Sequence, residues 1–235
     1  MNSNKKTART VGALFITATV ASILSYLVIL EPILNVPDYL INISTNENLV
    51  LIGILLDLIN CAAVVVIPVM LFPIFKKHNE ALALGYLGSR IIESVILIVG
   101  DISLLSLLTL SQEYVQAAAP DASCFQTLGT LLLAASDWTF LLGPGVAFSL
   151  TALILNYLLY QSKLIPRFIS VWGLIGATLL LAADLLAIFG FNLVMLLAVP
   201  IALQEMVFAV WLIVKGFNSS AIASESAKTD INEIK

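Results

Sequence analysis

The chain has 235 residues, of which 60% are hydrophobic and only 11% charged, and its mean hydropathy is +1.04. Soluble domains average about 45–50% apolar and about 25% charged residues, so a soluble globular domain and a disordered chain are both excluded. The formal net charge of −4 leaves no basic surface for nucleic acid, and one His with two Cys excludes a multi-histidine metal site and a disulfide scaffold.

A bilayer core about 30 Å thick needs about 20 apolar residues per helix. Such runs occur near Val11–Leu30, Leu49–Phe75, Ala81–Leu110, Thr127–Tyr160, Phe168–Gly190 and Leu193–Val214. They lack the alternation of barrel strands, and in lipid only helices and closed barrels satisfy their own backbone. The expected fold is all-α: an integral membrane bundle of six transmembrane helices. Residues 1–215 form one membrane domain, and 216–235 read as a polar, disordered cytoplasmic tail.

The first run follows Lys5, Lys6 and Arg9, as the core of a signal peptide would. Its length of about 20 residues exceeds the usual 7–15, and no small-x-small cleavage site ends it, so it reads as a span. The Glu31–Glu47 segment holds Pro32, Pro37 and the apolar Tyr39–Leu40–Ile41, and is expected along the outer interface. The second run carries Asp57, with Asn60 one turn further in. The third carries Arg90, Glu93 and Asp101. The fourth carries Asp137 and is interrupted by Gly143–Pro144–Gly145. The fifth carries Asp184 and the sixth Glu205.

Charge sets the orientation. Lys5, Lys6, Arg9, Lys76, Lys77, Lys163, Arg167, Lys215, Lys228 and Lys235 all fall on one side of a six-span layout. The other side has Glu31, Asp38, Glu47, Glu113 and Asp121 and no Lys or Arg. The positive-inside rule then places both termini in the cytoplasm. Tyr39 and Tyr114 near the outer ends, and Tyr157, Tyr160, Trp172 and Trp211 near the inner ends, fit interfacial aromatic belts.

The eleventh cation, Arg90, lies within a span, together with six acids: Asp57, Glu93, Asp101, Asp137, Asp184 and Glu205. Each such residue costs about 2.5–3.5 kcal/mol at a helix centre. Arg90 and Glu93 are three apart and face one way. Asp101 returns to nearly the same face about 16 Å further on, at about 1.5 Å per residue. Asp137 and Glu205 are expected nearer mid-membrane, and Asp57, Asp101 and Asp184 nearer the outer side. Two readings follow. In one, the charges specify helix packing: Arg90 pairs with Glu93 or an acid of a neighbouring helix, and Asp57, Asp101 and Asp184 reach the outer interface or a hydrated vestibule. In the other, several acids share a wet cavity. One base cannot neutralise six acids, so the surplus must hold protons, bind a cation or touch water.

Gly143–Pro144–Gly145 reads either as a plain kink or as a broken helix lining a site. Missing residues bear on enzyme classes. The lone His78, in a loop, excludes a zinc hydrolase, a Ser–His hydrolase and paired-His haem ligation. Cys61 and Cys124 read as two lone thiols. An acid-only dyad of Asp57 and Asp101 is the one catalytic arrangement left, without companion motifs. No cofactor and no metal are expected.

Ile165–Pro166–Arg167–Phe168–Ile169–Ser170–Val171–Trp172–Gly173–Leu174–Ile175–Gly176, entering the fifth run, and Gly88–Ser89–Arg90–Ile91–Ile92–Glu93 in the third are distinctive. With the six-span layout they resemble the bacterial membrane-protein family called domain of unknown function 4386, over about residues 8–215. The resemblance implies a multi-pass protein of the bacterial cytoplasmic membrane, and carries over no activity, substrate or site residue. Independently of it, Arg167 is placed to anchor the interface, and Gly173 and Gly176 allow close helix approach. The sequence therefore points to a lipid-embedded bundle that binds or moves a small ligand, cation or proton, or alternatively to a structural or regulatory membrane component.

Overall fold

The structure, a computed structural model, describes residues 3–117, 122–218 and 220–221. Among these residues there is no strand, and six helices are long and apolar enough to cross a membrane. They are α1 (Asn4–Leu34), α2 (Glu47–Phe75), α3 (Glu80–Gln116), α4 (Ser123–Ser162), α5 (Arg167–Ile188) and α6 (Val194–Val214). Asp121, Lys228 and Lys235 lie outside the described residues, as does the tail from residue 222 onward.

Local chemistry explains several boundaries. The Asn79 side chain accepts from the Leu82 N–H at 3.0 Å and Glu80 sits in the first turn, so α3 starts with a capped N-terminus. Pro166, extended, precedes the first residue of α5, and Gly190 with φ +90° follows its end. Two helices leave α geometry in mid-course. α1 becomes π-helical over Leu24–Leu30, and α4 over Leu141–Ala147, around Gly143–Pro144–Gly145. Pro144 has no N–H to give to an α ladder, and a wider turn accommodates the loss. The fourth run is thus one continuous helix with a rewound middle.

Each helix packs against its chain neighbours, and α1 closes against α6, which makes a ring of six. The outer faces are apolar: on α3, Ile92, Val95 and Ile102 are exposed while Arg90, Glu93 and Asp101 on the opposite face are buried. That inversion suits a chain whose surroundings are lipid.

The two ends of the ring differ. At one, Ala8, Val11, Phe75, Leu164, Ile165 and Phe217 form a core. Arg9 Nε donates to the Ile213 carbonyl at 3.3 Å, the Asn218 N–H donates to the Leu164 carbonyl at 2.8 Å, and Gly216, at φ +74°, sits against Ala8 and Lys5. Lys5, Lys6, Arg9, Lys76, Lys77, Lys163, Arg167 and Lys215 flank this end, and packing continues past residue 215 through buried Phe217. At the other end Leu30, Ile33, Val50, Leu104 and Leu107 form a second core, which takes up Leu40 and Ile43. The segment expected to skirt the interface therefore contributes a short helix, Tyr39–Thr45, whose apolar side plugs the bundle end. Ser111 Oγ donates to the Leu40 carbonyl, and Asn42 Nδ2 to the Ile33 carbonyl at 2.9 Å.

Candidate functional site

Helical periodicity on α3 lines Arg90, Glu93, Ser94, Leu97, Asp101 and Leu104 along one buried face. Arg90 is only 3% exposed. Its Nη1 donates to Glu93 Oε1 at 3.0 Å and Oε2 at 3.2 Å. Its Nη2 lies 3.8 Å from Oε1 of Glu205 on α6, an ion-pair distance beyond hydrogen-bond reach. The guanidinium also sits between two rings, 5.8 Å from the centroid of Tyr86 and 5.3 Å from that of Phe148 on α4. Such cation–π contacts count for more when the cation is desolvated. One acid thus holds Arg90 firmly and a second holds it loosely.

Beside this cluster lies a cleft of about 250 Å³. Thr19, Ser22, Asn60, Arg90, Glu93 and Glu205 supply its polar wall, and residues such as Phe15, Ile67, Leu97 and Phe148 its apolar one. The Glu205 side chain is 17% exposed, so its carboxylate is accessible from the cleft. Pro144 of the π-helical stretch lines the same space. Gly143 lies against Ile96, where a Cβ would stand 3.1 Å from its Cγ2.

The remaining acids fall in three places. Asp184, expected near the outer interface, is fully buried against the rewound part of α4. A Cβ at Gly145 would lie 3.0 Å from its carboxyl carbon, and Ser149 Oγ donates to its Oδ2 at 3.2 Å. The extra width of the π-helical turn and the missing side chain at Gly145 provide the seat for this carboxyl. Asp57 on α2 accepts from Asn60 Nδ2 at 3.2 Å and lines a second, smaller pocket together with Asp101 of α3. Asp101 is 5% exposed, buried within the bundle beside that pocket. Asp137 is exposed and lines neither cavity.

Charge counting overlooked several residues. Tyr86 stands four before Arg90, a spacing that places an aromatic one turn below the guanidinium. Phe148 carries no such signal. Asn156 and Gln204 are buried and bonded to each other at 3.1 Å; being neutral, they carry no charge signal in the sequence. Cys61 and Ser94 join α2 to α3: Ser94 Oγ donates to the Cys61 carbonyl at 3.4 Å. Among the described residues, no three His, Cys, Asp or Glu side chains gather as metal ligands.

A ring of apolar helices closed around an arginine and several carboxylates defines a multi-pass membrane protein. The chain belongs to the family described as domain of unknown function (DUF4386), whose model matches residues 10–216. No curated protein and no solved structure matches it.

Proposed function

We propose that the protein binds, and moves within the membrane, a small cation or a proton at the cleft formed by Arg90, Glu93 and Glu205. One observation carries this reading: the Glu205 carboxylate borders the cleft while the nearest base is already hydrogen-bonded to Glu93. A negative charge in excess, beside open volume and in low dielectric, attracts a positive ligand. The packing reading draws its support from the Arg90–Glu93 pair, which lies within one helix and is complete without a ligand.

The test uses the full chain in proteoliposomes loaded with the pH dye pyranine, with radiolabelled methylammonium as the organic-cation probe. Wild type should pass protons or methylammonium faster than protein-free vesicles. Glu205→Gln and Glu93→Gln should remove that flux, and Asp137→Asn, outside the cleft, should keep it. Flux equal to that of protein-free vesicles, or indifferent to all three substitutions, would leave the charges with a packing role.

The proposal includes an orientation. Both termini face the cytoplasm of a bacterial cell, and Glu31–Glu47 and Ser111–Phe125 face outward, because the flanking cations gather at one end. Residues 1–215 act as one membrane domain. In intact cells a membrane-impermeant maleimide should label exposed Cys124 and should not label a His78→Cys variant. The opposite pattern would invert the protein.

A further inference from the structure

The small pocket bordered by Asp57 and Asp101 is built differently from the cleft. Four helices form it. α2 gives Asp57 and α3 gives Asp101, while α1 adds Ser25 and Tyr26 and α4 adds Ser136 and Thr139. Its volume is about 30 Å³. Asp101 is 5% exposed, and its Oδ2 has no hydrogen-bond partner among the described residues. Asp57 is half-buried, and its Oδ1 is held by Asn60. Among the described residues, no Lys, Arg or His lines the pocket. Arg90 lies eleven residues back along α3, about 16 Å at about 1.5 Å per residue. A buried carboxylate with a bare oxygen costs several kcal/mol unless it takes up a proton or a cation meets it.

We propose that this pocket is a sodium-ion site. Its polar lining is oxygen: two carboxylates, the hydroxyls of Ser22, Ser25, Ser136 and Thr139, and the Tyr26 phenol. Thr139 Oγ1 donates its proton to the Ser136 carbonyl at 2.7 Å, which leaves its lone pairs available. Oxygen ligands of this kind select hard cations. About 30 Å³ holds one or two waters. That is too little for magnesium with the several waters it keeps in its octahedron. A sodium ion whose water shell is replaced by protein oxygens fits. Asp57, with its amide donor and partial exposure, carries the second negative charge.

The fold holds the pocket open. A Cβ at Gly100 would stand 2.5 Å from Thr139 Oγ1, so a glycine is what lets α3 and α4 approach there. The Tyr26 ring is stacked on Phe140 at 4.4 Å, which fixes α1 against α4. Ser25 and Tyr26 belong to the π-helical stretch of α1, and Phe140 directly precedes that of α4.

The experiment measures ²²Na⁺ binding to the purified full chain in micelles by scintillation proximity. Wild type should bind one ion per chain saturably, displaced by unlabelled sodium and not by choline or magnesium. Asp101→Asn should weaken binding about tenfold or more through the lost ligand charge, and Thr139→Val by less. Both should elute as wild type in size exclusion. If Asp101→Asn does not fold, Asp57→Asn takes its place. Glu205→Gln should bind sodium as wild type does, which separates this site from the cleft proposed above. Absence of saturable ²²Na⁺ binding, better displacement by magnesium than by sodium, or binding that survives Asp101→Asn and disappears in Glu205→Gln would overturn the assignment.

Discussion

Two adjacent residues of α6, Gln204 and Glu205, enter polar clusters built on opposite principles. Gln204 Nε2 donates to Asn156 Oδ1 at 3.1 Å and to the Ile169 carbonyl at 3.3 Å. Asn156 Nδ2 in turn donates to the Ala152 carbonyl at 2.9 Å. Both side chains are 1% exposed, and Gly173 of α5 packs directly on the Asn156 amide. The cluster is neutral and bonded across α4, α5 and α6, and neither Asn156 nor Gln204 lines the cleft that Glu205 borders. Glu205 makes only the 3.8 Å approach to Arg90 and borders open volume. The contrast teaches how to read buried polarity in an apolar bundle. A neutral group whose bonds are made joins helices, whereas a charge with bonding capacity left over and space in front of it marks a site.

The largest expected effect comes from removing the base. Arg90→Leu leaves buried Glu93 and partly exposed Glu205 without a counter-charge, which should cost about 3–5 kcal/mol. A typical stability is only about 5–15 kcal/mol, so the variant should show a much lower thermal midpoint in micelles and lower abundance in membranes. Adding Glu93→Gln and Glu205→Gln to Arg90→Leu should restore most of the midpoint. A single variant as stable as wild type would mean that the Arg90 charge is not what neutralises these acids.

The neutral cluster should respond to shape instead of charge. A Cβ at position 173 collides with the Asn156 amide, so Gly173→Ala should cost about 1–3 kcal/mol, the usual range for overpacking. Asn156→Ala in the same chain should recover part of the loss, a coupling that a double-mutant cycle reads from the thermal midpoints. Flux through the cleft should be unchanged wherever the variant is folded. Additive midpoints would break the claim that these two residues form one contact.

The spans were legible because an apolar run of about 20 residues has few other fates. The buried face of α3 was legible too, since Arg90, Glu93 and Asp101 follow the period of 3.6 within one unbroken helix. What the sequence withheld was rotation between helices. Glu205 and Asp137 looked equivalent, yet one is turned toward Arg90 and the other is exposed. Phe148 lies just past a π-helical stretch, where residues advance around the axis at a different pitch, so counting from Asp137 misplaces it. Asp184 looked peripheral by its depth, and is buried only because Gly145 lets α5 come close. In the Glu31–Glu47 segment, Leu40 and Ile43 stand three apart, a helical spacing too short to separate from a turn without the core it joins.

The smallest effect on stability is expected at Glu205, and it is the most discriminating. Glu205→Gln keeps the shape and removes one negative charge. Arg90 retains both hydrogen bonds to Glu93, so no buried cation is stranded. The interaction lost is a 3.8 Å ion pair on a side chain that is 17% exposed. A surplus buried charge replaced by an amide is neutral or stabilising as often as not, so the thermal midpoint should move by no more than about 1 kcal/mol equivalent in either direction. The proteoliposome flux should nevertheless disappear, because the amide offers the cleft no charge. Gln204→Leu, one residue away, should behave in the opposite sense: it strands the Asn156 oxygen at a cost of about 1–3 kcal/mol and leaves flux intact. If Glu205→Gln instead lowered the midpoint as far as Arg90→Leu does, with flux preserved, Glu205 would belong with Gln204 among the residues that only join helices.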